Sequence, residues 1–323
     1  MNDEEYLDIN ECFADDSKKF WENLSYWNDY NTYYGLYSSS GLPDPDGNSN
    51  MLYKFHKRLW NNQRENMKSK LPKKENSDEL KLPKIKKDDN TCELHGINDE
   101  NFRLGSDSII SIYFHWWDMQ PLLPEIAKYK ENKENLLERE IEKLFDIGIK
   151  SDSYDKWDSI KKFFWCYLHK ANTIGGFIVF PKFRGSINTR RANPKGTIKD
   201  RFDLTLECIR RYYVVPKEYN PLFTNIYDAD KEFFEMFGSF KNYIDFFCLQ
   251  DWVNGKYEVL DLLGKLEKKE KLDADKTWKD NKIIPYDFDE DEQVQRWWNL
   301  YSNLMYRLNK RNKRIEEILN SKK

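Results

Sequence analysis

The spacing of apolar residues predicts helices along most of the chain. Apolar side chains recur every three or four positions in residues 51–61, 200–213 and 291–319, which is the pattern of amphipathic helices. The aromatic-rich segment 221–253 has the same spacing but is interrupted at Gly238, so two helices are predicted there. Further helices are predicted at residues 20–27, 125–145, 154–170 and 256–271.

Three segments have the composition of strands. Residues 93–102 and 104–113 are short and separated by a turn, and residues 174–180 form an apolar, β-branched run. We expect a small sheet that includes residues 104–113 and 175–180, with Ile178 buried. The predicted fold class is α+β, predominantly helical with a small β-sheet, as a single compact domain with a long C-terminal helix.

Changes in composition divide the chain into three regions. Residues 1–40 form an acidic, aromatic segment, residues 41–253 the core domain, and residues 254–323 a C-terminal helical region. Residues 62–90 of the core are lysine-rich and polar, which predicts a flexible charged insertion. The apolar face of the last helix is wide enough to pack on the body of the protein, on a second copy in a homo-oligomer, or on a protein partner.

Composition narrows the class of protein. Aromatic residues make up 16% of the chain against 39% for all hydrophobic residues, so the core is expected to be built from rings. The 53 basic and 56 acidic residues nearly cancel, which argues against a protein that coats nucleic acid along its whole surface. An acidic N-terminus, no membrane-length apolar run and five cysteines without a C-x-x-C pair predict a cytoplasmic protein with reduced thiols and no membrane contact.

The segment 182–199 departs most from this balance, because it carries basic residues and no acidic one. Its cations are Lys182, Arg184, Arg190, Arg191, Lys195 and Lys199. Backbone N–H groups near Gly185 and Ser186 would join the arginines in holding an anion such as phosphate. A solvated surface loop explains the same charges, and both interpretations stay open.

The helix predicted after this segment carries candidate acids. Asp203, Glu207 and Arg210 share one of its faces, and Asp200 lies at its start, where a carboxylate caps free N–H groups. These acids would serve proton transfer, but an ordinary surface helix has the same charges. His56 lies at the edge of the apolar stripe of its own helix, either as a packed residue or as a base.

The same region resembles an uncharacterised bacterial family, a domain of unknown function. The family has GG-x-x-x-FP, which begins here at Gly175, then S/T-I-N-x-x-R from Ser186, then I-x-DR-x-DLTLECIRRYY from Ile198. Similar stretches lie at residues 43–60, 94–110, 220–222 and 233–253, and Ala192 replaces a usual glycine. The resemblance implies a shared fold and a shared site without naming a reaction. It also suggests a role in host defence or in a toxin system.

The expected site follows from these residues together. We expect one pocket that is joined by His56 and by either Ser106 or Asp107. The residues expected to line it are Asn188, Arg191, Asp200, Arg201 and Glu207. The catalytic candidates are Asp200, Asp203, Glu207 and His56. The ligand-binding candidates are Ser106, Asp107, Lys182, Arg184, Ser186, Asn188, Arg191, Arg201 and Arg210.

Two functions remain after familiar motifs are excluded. The sequence contains no Walker loop, dinucleotide G-x-G-x-x-G, H-E-x-x-H, G-x-S-x-G or zinc-type cysteine spacing, and no metal site is predicted. The first function is an enzyme acting on a phosphate-bearing substrate, which is a nucleotide, NAD or nucleic acid. NAD rests on the loose order of His95-Gly96, Ser106 and Glu207, which is similar to that of ADP-ribosyltransferase folds. The alternative is a non-catalytic nucleotide-sensing or protein-interaction module.

Overall fold

The computed structural model describes residues 50–88, 93–109, 173–182, 201–214, 226–273 and 291–320. Within these ranges the chain forms five α-helices and one four-stranded sheet, and helical residues outnumber strand residues. The fold is therefore α+β, as the sequence predicts. The helices predicted at 20–27, 125–145 and 154–170 and the basic residues 183–199 lie outside the described residues.

The helices follow the predicted apolar periodicity. They are α1 (Asn50–Asn66), α2 (Phe202–Val214), α3 (Ile226–Glu235), α4 (Phe240–Phe246) and α5 (Asp291–Asn320). Gly238 separates α3 from α4 with a φ of 72°, a left-handed conformation that favours glycine, so the predicted break is confirmed. The Ser239 hydroxyl then caps α4 by accepting a hydrogen bond from the Asn242 N–H at 3.1 Å.

The sheet is antiparallel, and its strands lie in chain order. They are β1 (Ile85–Lys87), β2 (Leu94–Gly96), β3 (Asp99–Ser108) and β4 (Phe177–Pro181). In the register of β3 and β4, Ser106 lies opposite Val179 and Asp107 opposite Ile178. Every residue of β4 is buried, as expected for an apolar strand covered on both faces. The predicted burial of Ile178 in a small sheet is confirmed, with 1% of the residue exposed.

The structure differs from the predicted flexible insertion at residues 62–90. Helix α1 continues to Asn66, and Leu71, Leu80 and Leu82 are buried beyond it. The Asn61 amide pairs with the backbone of Ile85, accepting from its N–H at 3.1 Å and donating to its carbonyl at 2.9 Å. A few widely spaced leucines anchor this part of the chain, and their spacing has neither helical nor strand periodicity.

The helix predicted at residues 256–271 is wrong. The chain there forms two isolated bridges, Val253 with Val259 and Leu260 with Lys271, and a short 3-10 turn at Leu266–Lys268. Tyr257 and Lys269 have φ values of 59° and 47°, which a right-handed helix cannot contain. The abundance of lysine led to the helical prediction. The buried leucines of this segment instead hold it against the rest of the fold.

The core is built from aromatic rings, as the composition predicts. The Trp60 indole is buried and lies edge-on to Phe246 with ring centroids 5.0 Å apart. Its other ring neighbours are Phe102, Phe233, Phe237 and Phe247. The apolar face of α5 packs on this body, burying Tyr301, Leu304, Met305, Leu308 and Ile315. None of the helices in the described ranges is long and apolar enough to cross a membrane.

Candidate functional site

His56 and Ser106, two predicted site residues fifty positions apart, are in contact. His56 Nε2 lies 3.0 Å from the Ser106 hydroxyl oxygen, and both residues are buried. Helix α1 supplies the histidine and strand β3 the serine, whose backbone N–H also donates to the Tyr53 hydroxyl at 3.0 Å. The structure therefore joins these two segments of the expected site.

Electrostatics keep this histidine neutral. Burial, with the positive charge of Arg311 as a second cause, lowers the pKa of His56 from 6.5 to about 3. In a serine–histidine–aspartate triad a carboxylate stabilises the imidazolium, whereas the charge that acts on His56 here is the positive one of Arg311. The geometry therefore favours a structural hydrogen bond over the predicted catalytic role of His56.

Arg201 and Asp203 form a buried ion pair at the start of α2. Asp203 Oδ1 accepts from Arg201 Nε and from the Leu204 N–H, both at 3.0 Å. Its Oδ2 accepts from Arg201 Nη2 and, at 3.1 Å, from the Leu262 N–H. Four donors occupy the lone pairs of this fully buried carboxylate, so it has no acceptor left for a substrate proton. This arrangement favours an architectural role for Asp203, because it ties α2 to the 254–272 loop.

Asp261 is a functional candidate that the sequence analysis missed. Its Oδ1 accepts from Arg201 Nη2 at 3.0 Å and from the Leu263 N–H at 2.8 Å, while no described residue donates to Oδ2. Burial raises the pKa of Asp261 above its ordinary value despite the attraction of Arg201, and the carboxylate of Asp203 adds to the rise. The side chain is 28% exposed. Of the carboxylates held by Arg201, this one is accessible to solvent.

Glu207 holds two arginines on the next turn of α2. Arg210 binds it through Nε at 2.7 Å and Nη2 at 2.8 Å, and Arg211 donates from Nε at 3.0 Å. Glu207 is buried, whereas the Arg210 and Arg211 side chains are 21% and 11% exposed. Hydrogen bonding to Glu207 raises the pKa of Arg210. Two guanidinium groups thus share one carboxylate, eight residues after the basic segment ends at Lys199.

The remaining predicted residues are dispersed or lie outside the described ranges. Lys182 follows β4, is half exposed, and pairs with Glu93 of the neighbouring strand region at 2.5 Å. Asp107 is partly buried on β3. Arg184, Ser186, Asn188, Arg191 and Asp200 lie outside the described residues. The single pocket expected for all these residues therefore stays a prediction, and the contact between His56 and Ser106 is the part of it seen here.

Helix α5 contributes buried polar residues that the sequence analysis also missed. Asn303, Arg307 and Arg311 recur every four residues, and Asn312 continues the apolar row of Leu304 and Leu308. Arg307 Nε donates to the Asp251 carbonyl at 3.0 Å, and its guanidinium carbon lies 5.9 Å from the Trp252 ring. Burial lowers the pKa of Arg307 to about 10. Polar residues that interrupt an apolar row at helical spacing were the signal that could have identified this set.

Two of these residues bind the turn that carries the Gly175-Gly176 motif. Arg311 Nη1 donates to the carbonyls of Gly175 at 2.6 Å and Phe177 at 2.7 Å, and its Nε donates to the Phe247 carbonyl at 2.9 Å. Asn312 Oδ1 accepts from the Gly175 N–H at 2.7 Å. An ideal Cβ on Gly175 would lie only 2.5 Å from that oxygen. Glycine at this position is therefore explained by close packing against α5.

The fold and this set of residues define an α+β protein in which arginines of two helices organise buried carboxylates and backbone carbonyls. The chain belongs to a family of unknown function, DUF6994, whose model matches residues 150–315, just over half of the chain. This match includes β4, α2 and most of α5. No curated protein and no solved structure matches the chain.

Proposed function

We propose that this protein binds a phosphate-bearing ligand, a nucleotide, NAD or nucleic acid, at the face of α2 that carries Arg210 and Arg211. The observation that carries the proposal is the pairing of two partly exposed guanidinium groups with the single carboxylate of Glu207. Guanidinium is suited to bidentate binding of phosphate oxygens.

Glu207 acts in this proposal as the residue that orients the arginines. Its two oxygens accept from Arg210 Nε and Nη2 and from Arg211 Nε. Arg210 Nη1 donates to no described residue, so it is available to a ligand. The segment 182–199, which precedes α2 in sequence, contains six basic residues and no acidic one. Lys182 is held by Glu93, so the arginines of the segment are the stronger candidates for phosphate contact.

The experiment is a thermal-shift screen of ATP, NAD and single-stranded RNA, followed by calorimetric titration of any ligand that raises the Tm. We expect Arg210→Gln to weaken binding about tenfold or more, because one charge-assisted phosphate contact contributes about 1.5–3 kcal/mol. Arg191→Ala should weaken binding as well. Arg314→Gln is the matched control, since Arg314 is 31% exposed and pairs with Asp251, which is not a residue of α2.

Two results would contradict the proposed binding site on α2. Equal affinity of the wild type and Arg210→Gln for every ligand that binds would remove α2 from the binding site. A similar loss in Arg314→Gln would show that any lost arginine has this effect, through net charge alone. Weakening of binding by salt is expected in either case and does not distinguish them.

A second function, catalysis on the bound ligand, is favoured by Asp261. Its carboxylate is oriented by Arg201, partly exposed, and has an elevated pKa, which are the properties expected of a proton-transfer group. An enzyme would lose turnover in Asp261→Asn while its affinity for substrate persists. Glu207→Gln would lower the turnover rate at saturating substrate only if Glu207 has a chemical role beyond orienting the arginines. Binding without any turnover of ATP, NAD or RNA leaves the non-catalytic module as the function.

Three expectations from the sequence remain predictions beside this proposal. They are a cytoplasmic location, a role in defence or in a toxin system, and a partner or second copy bound through the C-terminal helix. Over residues 300–319 the apolar face of that helix is already covered by the body of the protein. A partner would therefore have to bind another face of α5, or residues outside the described part of the chain.

A further inference from the structure

A separate cavity of about 220 Å³ lies between the C-terminal end of α1, the segment leading to β1, and the turn between β2 and β3. None of the predicted site residues lines it. Its basic side chains are Arg64, Lys74, Lys81 and Lys84, and its acidic ones are Glu79 and Asp99. The cavity thus has an excess of positive charge in a chain that is slightly acidic overall.

The cations differ in how fully they are neutralised. Lys74 pairs with Glu79 at 2.9 Å. Arg64 and Lys84 share Glu65 at 2.9 and 3.5 Å, so one carboxylate serves two cations. Lys81 is exposed and forms no ion pair within the described residues. An entering anion would therefore meet one unpaired amine and a second one that is weakly paired.

The interior of the cavity offers an apolar surface beside these cations. Leu80 is buried, and the ring of Phe102 is held in place by Trp60, with ring centroids 6.0 Å apart. Pro83 and Met236 add apolar atoms to the lining. A fixed aromatic ring next to cations is a combination that accepts a flat ring carrying a negative group.

We propose that this cavity binds a small anion with a flat ring, a nucleoside monophosphate being the representative chemistry. The ring would contact Phe102 and the phosphate would contact Lys81 and Lys84. The volume is below the roughly 300–1,000 Å³ of pockets for drug-sized ligands, so a dinucleotide such as NAD is too large to be enclosed here. This site is independent of the one proposed on α2 and goes beyond that function.

The test is calorimetric titration of the full chain with adenosine monophosphate, adenosine and inorganic phosphate. Binding of the monophosphate should be at least tenfold tighter than binding of either part alone, because ring and anion are both recognised. Lys81→Glu should weaken it about tenfold, and Phe102→Leu at least threefold. Lys68→Glu is the control, since Lys68 is an exposed lysine nearby that does not line the cavity.

The result that overturns the proposal is absence of monophosphate binding at millimolar concentration, or equal weakening by Lys81→Glu and Lys68→Glu. Binding of inorganic phosphate as tight as that of the monophosphate would also overturn it, since the ring would then contribute nothing. Arg210→Gln separates the two sites. Monophosphate binding that survives Arg210→Gln and is lost in Lys81→Glu supports this cavity, whatever becomes of the site on α2.

Discussion

Replacing Gly175 by alanine should destabilise the fold through Asn312. The new Cβ would lie 2.5 Å from Asn312 Oδ1 and 2.7 Å from its Cγ. Asn312 is fully buried and cannot move away without loss, because it accepts from the Gly175 N–H and donates to Thr173 Oγ1, both at 2.7 Å. Overpacking costs about 1–3 kcal/mol and each lost hydrogen bond about 1 kcal/mol, so we expect a loss of roughly 2–4 kcal/mol.

Urea unfolding followed by circular dichroism measures this loss as a lower midpoint at an unchanged slope. Gly255→Ala is the matched control, because a Cβ there would meet nothing within 4 Å, and it should change the free energy of unfolding by less than about 1 kcal/mol. Gly175→Ala combined with Asn312→Ala should be less destabilising than the sum of the two single variants. Additive losses, or equal effects of the two glycine substitutions, would refute the steric explanation.

Three further predictions concern buried charge. Folding lowers the pKa of His56 from 6.5 to about 3, so the unfolded chain binds a proton at this residue more readily than the folded protein does. The contribution of His56 to the free energy of unfolding is therefore complete above pH 6.5 and is lost as the pH falls towards 3. His56→Gln should therefore reduce the loss of stability between pH 6.5 and 5 by about 1.5 kcal/mol, measured by urea unfolding at both pH values. Asp203→Asn should lower the free energy of unfolding by about 3–5 kcal/mol, because it leaves Arg201 buried with a broken pair. Asp261→Asn, at a partly exposed carboxylate, should cost about 1 kcal/mol in the same assay, and equal losses would contradict the assignment of Asp203 as the architectural partner. Arg311→Met removes three hydrogen bonds to carbonyls, but it also removes a charge that is costly to bury. The free energy of unfolding should therefore fall by about 2–4 kcal/mol. Arg314→Met should cost less than about 1 kcal/mol by the same measurement, and a larger effect there than at Arg311 would contradict the role given to those carbonyls.

The parts of the fold that could be predicted from sequence are those with a local signal. Gly238 interrupts a regular aromatic pattern, and the strand that contains Ile178 is a short apolar run, so both were predictable. The 254–272 loop has no such signal, because its conformation depends on contacts distant in sequence. The Asn303 amide donates to the carbonyls of Leu262 at 2.9 Å and Gly264 at 2.8 Å, and a lysine-rich composition does not reveal those bonds.

The candidate site was predictable to a smaller extent. The ion pair of Arg201 and Asp203 joins residues two positions apart. Asp203 was a candidate because it shares a helix face with Glu207 and Arg210, and Arg201 because it belongs to the motif of the family resemblance. Asp261 joins them from sixty residues away, and no periodicity relates these positions. Arg311 could have been predicted, because it follows Asn303 and Arg307 at intervals of four on a helix with a wide apolar face. A charge at such a position needs a partner, and backbone carbonyls are one such partner.

The contacts of α5 change the interpretation of the motif that the family resemblance emphasises. A pair of glycines before an apolar strand and a basic segment suggests a backbone that approaches a phosphate. In this fold the Gly175 N–H is hydrogen-bonded to Asn312 and the Gly175 carbonyl to Arg311. The Asn312 amide occupies the space that a Cβ on residue 175 would need. The family match begins before Gly175 and ends after Asn312, so it spans both partners of this contact. The motif is therefore explained by the joining of β4 to α5. A binding function has to be sought at the arginines of α2, where guanidinium groups remain partly exposed.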